Sequence, residues 1–234
     1  MYSIETPKGK YRFKFKPLYP GVKRIDKVIS KKNLIFLKEF LDSHNIPFLL
    51  SYGTLLGAVR EHDFIDHDED IDLIIKDNYR DMFLSALFEL RTHGFELVRY
   101  DRRDLYSLMK DGEYIDFYFF KQIEDGNWYC SGVLIPDEFM GVPDTIVFMN
   151  HSFQTHSNHL KMLEFEYGVN WRIPVIIFNY QLPYYKRLIF NLKEIVRYNL
   201  PESLLKQLTK KAESIMIERY LKKIEDYRKN QRKP

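Results

Sequence analysis

Between residues 31 and 45 the apolar side chains fall at 34, 35, 37, 40 and 41, the spacing of one face of a helix. An amphipathic helix is expected there, followed after a turn by a short buried strand from Ile46 to Ser51. Gly53 and Thr54 open the next helix, with Leu55, Leu56 and Val59 as its buried side and Arg60 near its end. Residues 70–76 read as a strand, and 79–92 as a second amphipathic helix that stops at His93-Gly94. Beyond Gly94 the pattern becomes that of strands, at 95–100, 105–110, 114–121, 128–135 and 145–149, with polar turns such as Asp111-Gly112 and Asp125-Gly126 between them. A helix over 156–168 ends at Tyr167-Gly168, and from Pro183 onward two or three helices follow, broken at 199–203. The pattern predicts an α/β (α+β) architecture, a mixed sheet with helices packed on it. Residues 1–30 form an N-terminal extension, 31–174 the main domain and 175–234 a basic helical C-terminal region.

Composition narrows the class. At 234 residues, 45% hydrophobic and 16% aromatic with ten Gly and ten Pro, the chain is globular, with room for one well-buried domain and an appendage. The single cysteine, Cys130, leaves no internal disulfide and fits a reducing compartment, so a cytoplasmic location is expected. The first ten residues hold no apolar signal-peptide core, and no run of about 18 apolar residues occurs, so neither a classical secretion signal nor a membrane span is expected.

The net charge of +3 hides an asymmetry: 14 Lys and Arg stand against 6 Asp and Glu from Lys186 onward, and 22 against 27 before it. The acidic part repels phosphate backbones and argues against a nucleic-acid partner. In the basic part, the apolar and aromatic stretch from Ile176 to Phe190 runs beside Lys186, Arg187, Lys193 and Arg197. Two readings stand for it: peripheral attachment to the inner face of the cytoplasmic membrane, or a solvated bundle covering the domain.

The candidate chemistry lies in Asp68, Asp70 and Asp72. Spaced by two, their side chains leave one face of an extended segment while Ile71, Leu73 and Ile75 leave the other. Carboxylates at i and i+2 stand about 6 to 7 Å apart, and holding them ionised costs free energy unless a cation or proton lies between them. Oxygen ligands of this kind suit Mg²⁺ or Mn²⁺, which hold phosphate oxygens in their remaining positions. Asp116, a lone carboxylate in the apolar and aromatic strand 114–119, needs a partner and is the natural third acid. A strand, a Gly-Thr turn, a helix and then Asp-x-Asp on the following strand is a nucleotidyltransferase-like arrangement. Backbone N–H groups at the turn meet phosphate there, and the carboxylates opposite hold the metal.

The run Tyr52-Gly53-Thr54-Leu55-Leu56-Gly57-Ala58-Val59-Arg60, then Phe64-Ile65 and Asp68-Glu69-Asp70-Ile71-Asp72, closely resembles the LicD family, related to fukutin and fukutin-related protein. Tyr167, Gly168, Trp171 and Pro174 resemble that family's C-terminal Tyr-Gly-x-x-Trp-x-x-Pro element. The resemblance covers roughly residues 32 to 174. It implies a nucleotidyltransferase-like phosphotransferase that moves a phosphorylated alcohol, such as phosphocholine or ribitol phosphate, from a CDP-linked donor to a glycan or lipid-linked glycan of the cell surface, releasing CMP. Carried over, Asp70 and Asp72 are the principal ligands of Mg²⁺ or Mn²⁺ and Asp116 the third carboxylate. Asp68 is the first acid of the motif, and Gly53, Thr54 and Arg60 contact the donor phosphates. One departure is visible: His67 stands where the family commonly has Trp or another aromatic.

Other readings fit less well. An EF-hand loop starting at Asp66 needs Gly and Glu where Ile71 and Asp77 stand. His62-Asp63 and His67-Asp68 as metal-phosphohydrolase dyads leave the Gly-Thr element unexplained. His151, His156 and His159 match no common zinc spacing and are expected in packing or substrate contact. Two functional alternatives remain open: a nucleotidyltransferase adding NMP to a small acceptor, and an inactive partner in glycan assembly.

Overall fold

A computed structural model describes residues 1–16, 24–101, 104–175 and 183–231. Among these, a mixed sheet of nine strands forms the frame. Its main path runs β10 (Asp144–Phe148), β11 (His151–Thr155), β3 (Leu49–Leu50), β4 (Ile71–Lys76), β7 (Glu113–Gln122), β6 (Leu105–Lys110) and β5 (Glu96–Asp101). The hairpin β8 (Trp128–Cys130) and β9 (Val133–Ile135) extends from β7. The central pair, β4 and β7, is parallel, with Asp72 opposite Asp116. Residues 71–75 of β4 are all buried, as a strand covered on both faces requires.

Two apolar clusters fill the two faces. Ile71, Leu73, Ile115 and Phe117 meet helices α1 (Lys27–Ser43) and α3 (Arg80–Thr92) on one side. Ile74 and Phe120 meet α4 (His159–Tyr167) and the long α6 (Glu202–Gln231) on the other. The alternation of β4 and β7 between these clusters leaves Asp72 and Asp116 on the second face, at its more polar end.

The structure departs from the expected elements in identifiable ways. Helix α1 begins at Lys27, four residues early, because Asp26 accepts hydrogen bonds from the Val28 and Ile29 N–H groups as its N-cap. The stretch 128–135 is two strands, since Ser131 and Gly132, with φ of 53° and 90°, make a tight hairpin turn between them. Strand β11 was not expected, and α4 begins at His159 behind a left-handed Asn158. Residues Tyr2–Thr6 (β1) and Gly9–Phe13 (β2) form a separate hairpin that buries Ile4, Tyr11 and Phe13. The tail holds two helices, α5 (Tyr184–Asn199) and α6, broken where expected. The apolar positions from Ile176 to Leu182, and the side chain of Arg187, lie outside the described residues.

Candidate active site

Helix α2 (Tyr52–Arg60) follows β3 directly and packs across β4. The turn is fastened at three points. The Ser51 N–H donates to the Asp72 carbonyl at 3.2 Å. The Asp72 N–H donates to the Thr54 hydroxyl at 2.8 Å, and the Gly53 N–H to Asp72 Oδ2 at 3.2 Å. The first turn of α2 therefore presents the Gly53 N–H to the protein's own Asp72. Thr54, expected against donor phosphate, is instead 1% exposed and fastens α2 to β4.

A single polar row crosses the sheet through this point. Arg99 on β5 stands opposite Ser107 on β6, Ser107 opposite Asp116 on β7, and Asp116 opposite Asp72 on β4. Ser51, just beyond β3, and His156, just beyond β11, continue it with a 2.9 Å hydrogen bond between Oγ and Nε2. Arg99 joins the row through an irregularity. Between Leu97 and Arg99 the register of β5 on β6 shifts by one, a bulge that turns Arg99 onto the Asp116 face, opposite the core face of Leu97 and Leu108.

The acids of the row differ in their partners. Asp116 receives Arg99 Nη2 at 2.7 Å and the Ser107 hydroxyl, the partner its buried position demanded. Among the described residues the Asp72 carboxylate has only the Gly53 N–H and the Tyr118 hydroxyl, the latter at 3.3 Å. Burial raises the pKa of Asp72 well above the usual carboxylate value, and Asp68 and Asp116 push it further. Asp70, half-buried just before β4, is raised well above its ordinary value by burial first and then by Asp72, Asp116 and Asp68. For Asp116 burial also raises the pKa, against the opposing pull of Arg99 and Ser107.

Asp68 reaches the site differently from expectation. It lies in a turn closed by its N–H to the Ile65 carbonyl at 3.1 Å, and not on a strand. Its carboxylate nonetheless sits over Gly53, where a Cβ would stand 2.3 Å from Asp68 Oδ2. The three acids converge because a turn and a strand meet at the α2 N-terminus, with Asp68 also raised by burial. Gly57 is fixed by the same loop, since a Cβ there would meet the Asp63 carbonyl at 2.6 Å.

Arg60 is 11% exposed at the far end of α2. Its guanidinium donates to Glu61 Oε1 at 2.8 Å and to the Trp171 carbonyl at 3.2 Å, so it joins the two motif segments to each other. Tyr167, at the end of α4, lies in the electrostatic reach of Asp72, Asp68 and Arg60 together. The histidines do not gather. His156 is fully buried and its pKa is lowered to about 4 by burial, which keeps it neutral. His159 pairs with Asp144 at 2.6 Å, and His151 Nδ1 lies 2.9 Å from the Met149 carbonyl.

Tyr114 and Tyr118 flank Asp116 on its face of β7, a period-two signal that sequence reading passed over. Ser107 and Arg99 carried no such signal, because register and bulge put them there. Among the described residues no three His, Cys, Asp or Glu side chains already enclose an ion position. The donor set still fits Mg²⁺, which binds through one or two carboxylates and completes its shell with water and substrate phosphates. Asp70 and Asp72 are such a pair, each destabilised as an anion by burial and by neighbouring acids.

Residues 45–174 match the model of a family described as LicD/FKTN/FKRP, nucleotidyltransferase domain. A curated protein of Macaca fascicularis, Ribitol-5-phosphate transferase FKTN, is 28% identical over 160 residues, which are 62% of this chain and 34% of that protein. The chain thus spans about a third of the relative it matches. Among solved structures, the lincosamide antibiotic adenylyltransferase LnuA with lincomycin bound overlays at a TM-score of 0.43 and 11% identity, covering 57% of this chain and 84% of its own. An antigenic nucleotidyltransferase-like protein from Paracoccidioides brasiliensis overlays at 0.42 and 15%, covering 76% and 91%.

Proposed function

The chain belongs to the LicD/FKTN/FKRP nucleotidyltransferase-domain family, and from that premise we propose that it is a Mg²⁺- or Mn²⁺-dependent phosphotransferase. It moves a phosphorylated alcohol from a CDP-linked donor to a hydroxyl of a glycan or lipid-linked glycan, releasing CMP. The observation that carries this reading is the cluster of Asp68, Asp70 and Asp72 at the N-terminus of α2 beside the Asp116–Arg99 pair. Buried acids without enough cations call for a cationic partner, and an anionic diphosphate accompanies such a partner readily.

Asp70 and Asp72 would hold the metal, with Asp116 as third carboxylate, and a divalent cation held there would supply positive charge against the donor diphosphate. The Gly53 N–H and Tyr118 hydroxyl keep the Asp72 carboxylate in place before substrate arrives. Arg60 is a bidentate cation for the transferring phosphate, and its bond to the Trp171 carbonyl sets its direction. The acceptor oxygen attacks the phosphorus that bears the alcohol, the bond from that phosphorus to the CMP oxygen breaks, and CMP leaves. Asp68 takes the acceptor proton, since Asp116 is held by Arg99 and Asp68 accepts only the Glu69 N–H among its described bonds.

The test is a panel of CDP-ribitol, CDP-glycerol and CDP-choline, with CMP release followed in Mg²⁺ and in EDTA. Metal-dependent release from one donor is expected, falling about 10³-fold or more in Asp70→Asn. Release that survives EDTA or that substitution overturns the reading. Pyrophosphate release from a nucleoside triphosphate with a small acceptor, and none from the panel, assigns nucleotidyl transfer instead.

A further inference from the structure

The last turn of helix α5 is tied to the N-terminal hairpin and to β5. Tyr198 packs on Tyr2, Phe13 and Phe15, and the Asn199 side chain donates to the Tyr2 hydroxyl at 3.0 Å. Arg197 lies 3.6 Å from Asp101. Toward its N-terminus the helix turns an apolar stripe outward. Tyr185, Leu188, Ile189, Leu192 and Val196 recur at helical spacing, and Leu192 is 63% exposed. A single exposed leucine means little, but a continuous stripe over three turns needs a cover.

Two further observations say what covers it. Lys186 and Lys193 stand three and four residues from Ile189, so cations run along one margin of the stripe. Leu192 and Val196 of the stripe also line an open groove of 490 Å³ between α5 and α6, together with Leu205 and Leu208 and with Lys193 at its edge. Apolar surface edged by lysines is complementary to a layer whose anionic groups lie above hydrocarbon. A second copy of the chain would instead bring the same lysine-edged stripe against itself. The geometry points to α5 as an interfacial helix that lies in the headgroup region of an anionic bilayer.

Charge supports the same orientation. The chain from Lys186 onward carries the excess of Lys and Arg, while the rest carries the excess of Asp and Glu. An anionic surface therefore attracts the helices and repels the acidic domain. Tyr184 and Tyr185, both largely exposed at the start of α5, suit the boundary between water and acyl chains. No helix among the described residues is long and apolar enough to cross a membrane, so the attachment proposed is to one face. It stands independently of which group the active site transfers.

The experiment is co-sedimentation of the full chain with vesicles of phosphatidylglycerol and phosphatidylethanolamine, against neutral phosphatidylcholine vesicles. Binding to the anionic vesicles is expected about ten-fold tighter than to the neutral ones. Leu192→Glu should weaken binding about ten-fold or more with an unchanged Tm, because the side chain is exposed. Lys186→Glu with Lys193→Glu should remove the preference for anionic lipid. No binding to anionic vesicles overturns the proposal, as does equal binding by Leu192→Glu. A dimer in sedimentation equilibrium that Leu192→Glu dissolves, without vesicle binding by the wild type, assigns the stripe to self-association and overturns it too.

Discussion

The sheet domain and helix α5 invert each other's polarity. Inside the domain, Asp72, Asp116, Ser107, Ser51 and His156 form a buried row between apolar layers. On α5, leucine, isoleucine and valine face outward. Buried acids in one site cost free energy until a cation or proton joins them, and an outward apolar stripe does so until it is covered. On the two proposals above, each region would be completed from outside the chain, by cation and phosphate in one and by lipid in the other. Function is expected where the rule of apolar inside and polar outside fails over several adjacent residues.

The largest effect separates the two regions directly. Asp72→Asn should lower metal-dependent CMP release about 10³-fold. Without metal it should leave Tm unchanged or raise it, because one of several repelling carboxylates is neutralised. Leu192→Glu should leave release from a soluble donor at the wild-type rate. Hydrolysis lost equally in both, or a Tm that falls sharply in Asp72→Asn, breaks the division between a strained interior and an incomplete exterior.

The next effect concerns the neutral end of the row. His156 is buried with its pKa near 4, against about 6.5 in an unfolded chain. As pH falls from about 6.5 to 4, the unfolded chain takes a proton that the folded one refuses, so stability present above pH 6.5 is progressively lost. A shift of that size corresponds to roughly 3 kcal/mol. Urea unfolding at pH 7 and pH 4.5 should show this loss in the wild type and a smaller one in His156→Gln. Equal acid sensitivity in the two proteins would remove His156 from the account, because the acids of the row, with their raised pKa values, gain stability as pH falls and cannot supply the loss.

How much of this was legible depends on which interactions are local. The α2 turn, the start of β4 and the approach of Asp68 and Asp72 to Gly53 involve residues within about twenty positions of one another, and the pattern exposed the acids though not the turn that carries Asp68. Asp116 was visible as a charge in an apolar strand, but Arg99 was not, because a one-residue bulge in β5 decides which face it takes. Thr54 reads as a phosphate contact until the Asp72 N–H is seen to occupy its hydroxyl. The β1–β2 hairpin alternates Tyr2 and Ile4 with polar residues, a signal too short to separate from a polar extension. The stripe on α5 was legible as amphipathic, yet only packing shows that the apolar side faces away from the domain.

The smallest effect tests whether Gly53 is there for the helix or for the acid. In the α2 first turn an added methyl improves helix propensity by up to about 1 kcal/mol, so a purely structural role predicts that Gly53→Ala is neutral or stabilising. The position is not open, however, since the new Cβ would stand 2.3 Å from Asp68 Oδ2 and 3.2 Å from its Cγ. The obstacle is the end of a side chain and not backbone, so the fold yields at little cost while the Asp68 carboxylate moves away from the α2 N-terminus. Gly53→Ala should therefore keep Tm within a few degrees of wild type and slow CMP transfer about ten-fold, the size expected from displacing one positioned proton acceptor. If transfer to an acceptor slows while hydrolysis of the same donor by water does not, Asp68 is tied to the acceptor hydroxyl. If both proceed at the wild-type rate, Asp68 has no part in the reaction and the site reduces to Asp70, Asp72 and the Asp116–Arg99 pair.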